Sequence, residues 1–203
     1  MKQDIMSKKV SEAEKSILKL TQSGDLKKLP EPLSSQIASF FETKCLHRLE
    51  TARLIYRASK EHKDTPTNYT DYSESVAAAY YAMYYIVHSY LAAVYKTKLR
   101  EDLRGVHAIT HHIILYYLVK TNKLAKHLYE EYLATLQTTT AILTIESFQE
   151  KAYKYAEKYS TSREARETFT YKTTPVIEAH HAEQAIKTAE EFINTIRQLI
   201  HKK

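Results

Sequence analysis

Histidine, arginine and tyrosine supply most of the side chains in this 203-residue sequence that could do chemistry, at ten, eight and 17 copies. His107 and His111 are four residues apart with His112 adjacent, so two imidazoles fall on one face of a helix. A pair at that spacing could exchange protons near neutral pH or ligate a metal. Neither an HExxH pattern nor a nearby acidic third ligand accompanies it, and the expectation is a partly buried, hydrogen-bonded pair with no metal. A second group is Arg163, Arg166, Tyr171 and Lys172, within the segment SREARETFTYK. Guanidinium forks suit phosphate oxygens, so Arg166 with Tyr171 could bind a phosphate or a nucleotide. The plainer reading has Arg166 and Tyr171 capping a helix end and tying a loop to the fold.

Several chemistries are excluded at once. Gly24 and Gly105 are the only glycines and lie far apart, so there is no Gly-rich phosphate loop. No serine or aspartate sits in a nucleophile-elbow context. Cys45 is the single cysteine, which rules out a disulfide framework within the chain and a cysteine-based zinc knuckle; it is expected to pack as a small apolar residue on its helix. No cofactor is implied. The net charge of +6 comes mostly from 22 lysines spread along the chain without a block of like charges, a mild bias towards anionic partners. The N-terminus MKQDIMSKKV has no apolar leader segment, and the chain reads as cytoplasmic.

The elements that must position these groups are helices. Two glycines and four prolines are too few for the tight turns of an all-β fold, and Ala, Leu, Glu and Lys dominate. Ser75 to Tyr95 has 21 positions without Asp, Glu, Lys or Arg, and it carries six tyrosines. Tyr80, Tyr81, Tyr84 and Tyr85 fall near its middle, whereas tyrosines of membrane helices gather at the interfaces, so the segment reads as the central helix of a bundle. Val76, Tyr80, Met83, Val87, Tyr90 and Val94 form its helical stripe. Ser11 to Glu14 reads as a capping box that starts a short helix ending near Gly24, and Pro30 and Pro32 mark a connector. Longer helices are expected over about Leu33–Lys60, Asp71–Thr97, Arg104–Lys120, Ala125–Tyr159 and Val176–Ile200, with a kink or break near Thr140 to Glu146, where β-branched residues concentrate. The expected architecture is all-α: an antiparallel bundle of four to five long helices over 33–203, with an N-terminal helical extension and Pro-containing connector over 1–32.

The ordered segments FFETKCLHRLETARLIYRAS, DYSESVAAAYYAMYYIVHSYL, LRGVHAIT, SREARETFTY and EAHHAEQAIKTAEEFINTIRQLI together resemble the HEPN family of small helical-bundle proteins, over about Leu33 to Ile200. AYYAMYY is similar to the family's second-helix hallmark, and LRGVHAIT to the start of the next helix. The resemblance implies a homodimer, often found beside a minimal nucleotidyltransferase in toxin–antitoxin pairs, and in part of the family a metal-independent endoribonuclease.

In the RNA-cleaving members an arginine, four to six intervening residues and a histidine lie near the dimer interface. The histidine serves as base at neutral pH, and the arginine neutralises phosphorane charge. Here neither Arg163 nor Arg166 is followed by a histidine at that distance. Tyr171 stands where the base belongs, and a phenol with an ordinary pKa of about 10 is a poor base at neutral pH. Literal matches at Arg57 to His62, Arg100 to His107 and Arg104 to His111 fall on the wrong helices. The leading expectation is therefore a dimeric binding or regulatory protein that engages RNA, a nucleotide or a nucleotidyltransferase partner through Arg163, Arg166, Tyr171 and Lys172, with Tyr171 a hydroxyl such a partner could modify. The alternatives are an endoribonuclease that draws its base from His107 or His111 beside Arg166, and a purely structural helical dimer.

Overall fold

The computed structural model describes residues 2–61, 70–158 and 177–202, the side chains of 2–5 and 144–158 excepted. In chain order the elements are α1 (Lys2–Gln22), β1 (Leu26–Lys28), α2 (Glu31–Glu61), α3 (Tyr72–Tyr95), β2 (Thr97–Leu99), α4 (Val106–Ile114), α5 (Lys126–Lys158) and α6 (Ala179–His201). The fold is an all-α helical bundle, as the composition leads one to expect.

The charge-free segment is its axis. α3 packs against α2, α4, α5 and α6, and Val76, Tyr80, Met83, Val87 and Tyr90 of its stripe are all buried, while Val94 at the C-terminal end is exposed. Asp71 starts the helix by accepting a hydrogen bond from the Glu74 N–H at 3.0 Å. Lys96 ends it in the left-handed conformation, φ 51°. Small residues let α2 come close. Ser75, Ala82 and Ser89 recur every seventh position on α3 and face a row on α2 that includes Ala38, Cys45 and Ala52, all buried. The approach is tight enough for side-chain hydroxyls to reach the neighbouring backbone: Ser75 Oγ donates to the Ala52 carbonyl and Ser89 Oγ to the Ala38 carbonyl, each at 2.9 Å.

Three local expectations need correction. α1 begins at Lys2 and not at the Ser11 capping box. Its apolar stripe of Met6, Val10, Ala13, Ile17 and Leu20 continues upstream of Ser11 and joins the main core, and burial of that stripe overrides the local cap signal. The Pro-containing connector forms a strand: Leu26, Lys27 and Lys28 pair antiparallel with Leu99, Lys98 and Thr97. α5 runs as continuous helix through Thr140 to Glu146. Three of its threonine hydroxyls bond back along their own helix, Thr135 to the Glu131 carbonyl, Thr138 to that of Ala134 and Thr140 to that of Leu136, which satisfies those three within the helix.

α4 is shorter than its periodicity predicts. It starts after Gly105, whose φ of 71° is left-handed, and passes into a π-helical turn over Leu115–Val119. The Lys120 N–H reaches back to the Leu115 carbonyl at 2.9 Å. The wider turn buries both Leu115 and Leu118. α6 carries Ala182, Ala185, Ala189, Phe192 and Ile196 into the core, and Arg53–Glu190 (2.7 Å) and Arg197–Glu42 (2.8 Å) join it to α2. Among the described residues, no helix is long and apolar enough to cross a membrane.

Candidate functional site

His107 occupies the first turn of α4, two residues after left-handed Gly105, and its ring lies over α3. There it sits among Tyr80, Tyr81 and Tyr84, with ring centres 5.6, 5.8 and 5.1 Å away. Its Nδ1 is 2.8 Å from the Tyr80 hydroxyl. One turn on, His111 faces α5, with Nε2 2.8 Å from the Tyr129 hydroxyl. The two histidines singled out by their spacing are thus each hydrogen-bonded and partly buried, as expected, but to different neighbouring helices.

A third histidine completes the arrangement. His88 of α3 is buried, its ring 4.4 Å from Tyr84 and 5.4 Å from Phe41. Its Nε2 lies 3.1 Å from Thr110 Oγ1, and the Thr110 hydroxyl already donates to the Val106 carbonyl at 2.8 Å. With its one proton committed, Thr110 can only accept, so His88 carries its proton on Nε2.

Burial makes all of these groups neutral. It lowers His88 to about 4, with the neighbouring His107 adding to the effect. It lowers His111 to about 4 as well, reinforced by His112 and Lys9, and it also lowers His107. The same desolvation pushes the Tyr80 and Tyr129 phenols up and takes Tyr84 to about 12. Neutral imidazole against a phenol held above its usual range makes a good hydrogen bond and a poor proton-transfer pair at pH 7. Among the described residues, no three His, Cys, Asp or Glu side chains are grouped to hold a metal. The Tyr132 hydroxyl is buried beside this cluster, where it interacts with the Tyr80 phenol, and its ring lies 5.9 Å from Tyr80 and 5.6 Å from Phe192. Cys45 is buried, and desolvation raises its thiol to about 12, so it packs as a small apolar residue and is not a nucleophile.

Outward from His107 the cluster opens onto a surface of mixed aromatic and cationic character. Tyr81, Tyr84 and Tyr85 are half-buried. The Arg48 guanidinium lies 5.8 Å from the Tyr81 ring centre, and Lys44 Nζ lies 5.5 Å from Tyr85 and 4.8 Å from Phe40. The only signal of this surface in the sequence is Lys44 and Arg48 four apart on α2, set against the Tyr81 and Tyr85 pair on α3; neither cation stands out until the two helices are brought together.

A concavity of about 390 Å³ lies between α2 and α6, lined by Glu50, Arg53, Tyr56, Arg57, Glu183 and Ile186. Its charges answer one another. Arg53 pairs with Glu190 and Glu50, Arg57 with Glu50, and Tyr56 donates to Glu183 at 2.9 Å. Such a neutralised groove offers an anion little.

Arg163, Arg166, Tyr171 and Lys172 lie outside the described residues, as does His62 of the Arg57 match. Arg100, of the match with His107, is turned away into ion pairs with Asp25 at 2.9 Å and Asp102 at 2.6 Å. Compared with protein-family models, curated proteins and solved structures, the chain matches none of them.

Proposed function

We propose that this chain is a dimeric RNA-binding protein of the HEPN type that holds RNA without cutting it. The single observation that carries the reading is the position of Arg48 over the half-buried Tyr81 ring. A guanidinium for phosphate beside rings that present a π-face is the combination single-stranded nucleic acid uses. The basic balance of the chain agrees with it, and Arg163, Arg166 and Lys172 would extend the phosphate contacts. The histidines support binding over catalysis: His107 and His111 are engaged by Tyr80 and Tyr129, burial weakens both as bases, and the sequence lacks the histidine that should follow Arg163 or Arg166.

The test is a titration of labelled single-stranded RNA with the full chain in EDTA, read by anisotropy and afterwards on a denaturing gel. Saturable binding that weakens with salt, with the RNA intact, is expected. Cleavage that disappears in Arg166→Ala would make the protein a metal-independent ribonuclease, and the absence of binding by wild type at low salt would remove the RNA reading.

A further inference from the structure

The aromatic surface has a polarity, because different helices supply its charged and its polar groups. Both cations come from α2, with Lys44 against Tyr85 and the Arg48 guanidinium 5.8 Å from the Tyr81 ring centre. The imidazole comes from α4: His107 lies 5.8 Å from the same Tyr81 ring and 5.1 Å from Tyr84. A nucleotide whose phosphate meets Arg48 and whose base stacks on Tyr81 therefore turns the edge of the base farthest from its sugar towards His107.

What His107 offers to that edge is set from beneath. Tyr80 is buried, and its hydroxyl lies 2.8 Å from His107 Nδ1. The Tyr132 hydroxyl, also buried, interacts with the Tyr80 phenol and has no other hydrogen-bond partner among the described residues. Two phenol protons must be placed along this chain. If Nδ1–H donated to Tyr80, the Tyr80 proton would go to Tyr132, and the Tyr132 proton would be left buried without an acceptor, which is costly. In the other direction Tyr132 donates to Tyr80, Tyr80 donates to Nδ1, and every proton is used. Neutral His107 then carries its hydrogen on Nε2. That nitrogen is bonded to no described residue and is not sealed from solvent, so the surface presents a fixed donor that cannot accept.

From this we infer that His107 makes the surface selective for keto bases, its Nε2–H donating to O4 of uracil or O6 of guanine. Cytosine and adenine present an amino group at the same place. Donor then faces donor, and the amino group loses water with nothing in return. Tyr80 and Tyr132 are positioning residues, because they hold the hydrogen on Nε2. The inference rests on the proposed RNA binding and names the class of base that the same site takes.

Labelled oligo(U) and oligo(C) of equal length, titrated with the full chain in EDTA and read by anisotropy, test this, because the two pyrimidines differ only at the edge that faces His107. Wild type is expected to prefer oligo(U) by about tenfold, the worth of one such hydrogen bond. His107→Phe keeps a ring against the tyrosines and removes the donor, so the preference should vanish. Tyr80→Phe keeps the imidazole and frees Nδ1 to carry the hydrogen, so the preference should fall. Nitrogen-15 spectra of the imidazole should show the proton on Nε2 in wild type and a mixture of tautomers in Tyr80→Phe, a change that altered packing alone does not produce. Circular dichroism checks the fold of each variant. Equal affinity of wild type for the two oligomers overturns the inference and leaves RNA binding standing. A preference that survives in folded His107→Phe overturns the role of His107, and a proton found on Nδ1 in wild type overturns that of Tyr80 and Tyr132. Wild type that binds neither oligomer at low salt refutes the functional reading, and the base preference with it.

Discussion

The hydroxyl of Tyr80 and Nδ1 of His107, 27 residues apart in sequence, lie 2.8 Å from one another and fix the start of α4 against the middle of α3. Three residues further along α4, Thr110 accepts from His88 on the same face of α3. α4 has only nine residues before its turn widens, too few to be stable by itself, and these two bonds set its position on the bundle.

Replacing Tyr80 with Phe removes the hydroxyl and keeps the ring. His107 Nδ1 then loses its partner within a part-buried site, at a cost of about 1–3 kcal/mol. Urea unfolding should show a lower midpoint at unchanged slope. Nitrogen-15 chemical shifts of the imidazole should report the change at Nδ1. An unaltered midpoint together with an unaltered imidazole spectrum would mean the bond does not form in solution.

The neutral histidines make stability depend on pH with a defined sign. His88 and His111 titrate near 4 in the folded chain, against about 6.5 in an unfolded one. Between those values the unfolded state binds more protons, so stability is full above about 6.5 and is lost as pH falls towards 4. Each histidine contributes a slope of at most about 1.4 kcal/mol per pH unit in that window. His111 contributes less than His88, because water screens its partly open ring. Unfolding midpoints measured from pH 7.5 to 4 should fall, and fall less steeply in a folded His88→Gln variant. A flat profile in wild type would contradict the burial of both rings.

The bundle and its axis were legible because their signal is periodic and long. The stripe that begins at Val76 is buried through Tyr90 and fails only at Val94, where the helix ends, and hydrophobic burial makes such patterns hard to override. The His107 and His111 pair was legible as a hydrogen-bonded pair for the same reason: residue type and spacing alone set its face. Its partners were not. Tyr80 and Tyr129 are two of 17 tyrosines, and only the crossing of α3 and α5 with α4 selects them. His88 was hidden among aromatic residues, and the β1–β2 ribbon joins segments some 70 residues apart, a pairing no local signal encodes. The start of α1 was misplaced because a capping box is worth about a kilocalorie, and a stripe in which Met6 and Val10 are partly buried and Ala13, Ile17 and Leu20 fully so outweighs it.

The close approach of α2 and α3 depends on Ala82, which sits midway between the two serines that bond across the seam and is fully buried. Ala82→Leu inserts three carbons where there is no room. Either the helices separate, which breaks the bonds from Ser75 to Ala52 and from Ser89 to Ala38, or the new side chain is strained. Overpacking of this kind costs about 1–3 kcal/mol, so thermal unfolding should shift down by several degrees. Ala82→Gly, by contrast, keeps the approach and is expected to cost about 1 kcal/mol through helix propensity. Equal losses in the two variants would mean that the seam is not tightly packed.

Arg48 and Tyr81 should fail in different ways if they form one RNA surface. Arg48→Ala removes a phosphate cation and is expected to lower affinity most at low salt, reducing the slope of log K against log salt by about 0.7 for single-stranded RNA. Tyr81→Ala removes a stacking face: its loss of about 1–3 kcal/mol should be largely independent of salt. Arg48→Lys keeps the charge and gives up the planar guanidinium, so it should restore the salt slope without restoring the full affinity. If Tyr81→Ala changed the salt slope and left affinity at high salt untouched, the ring would be a scaffold for Arg48 and not a platform for bases.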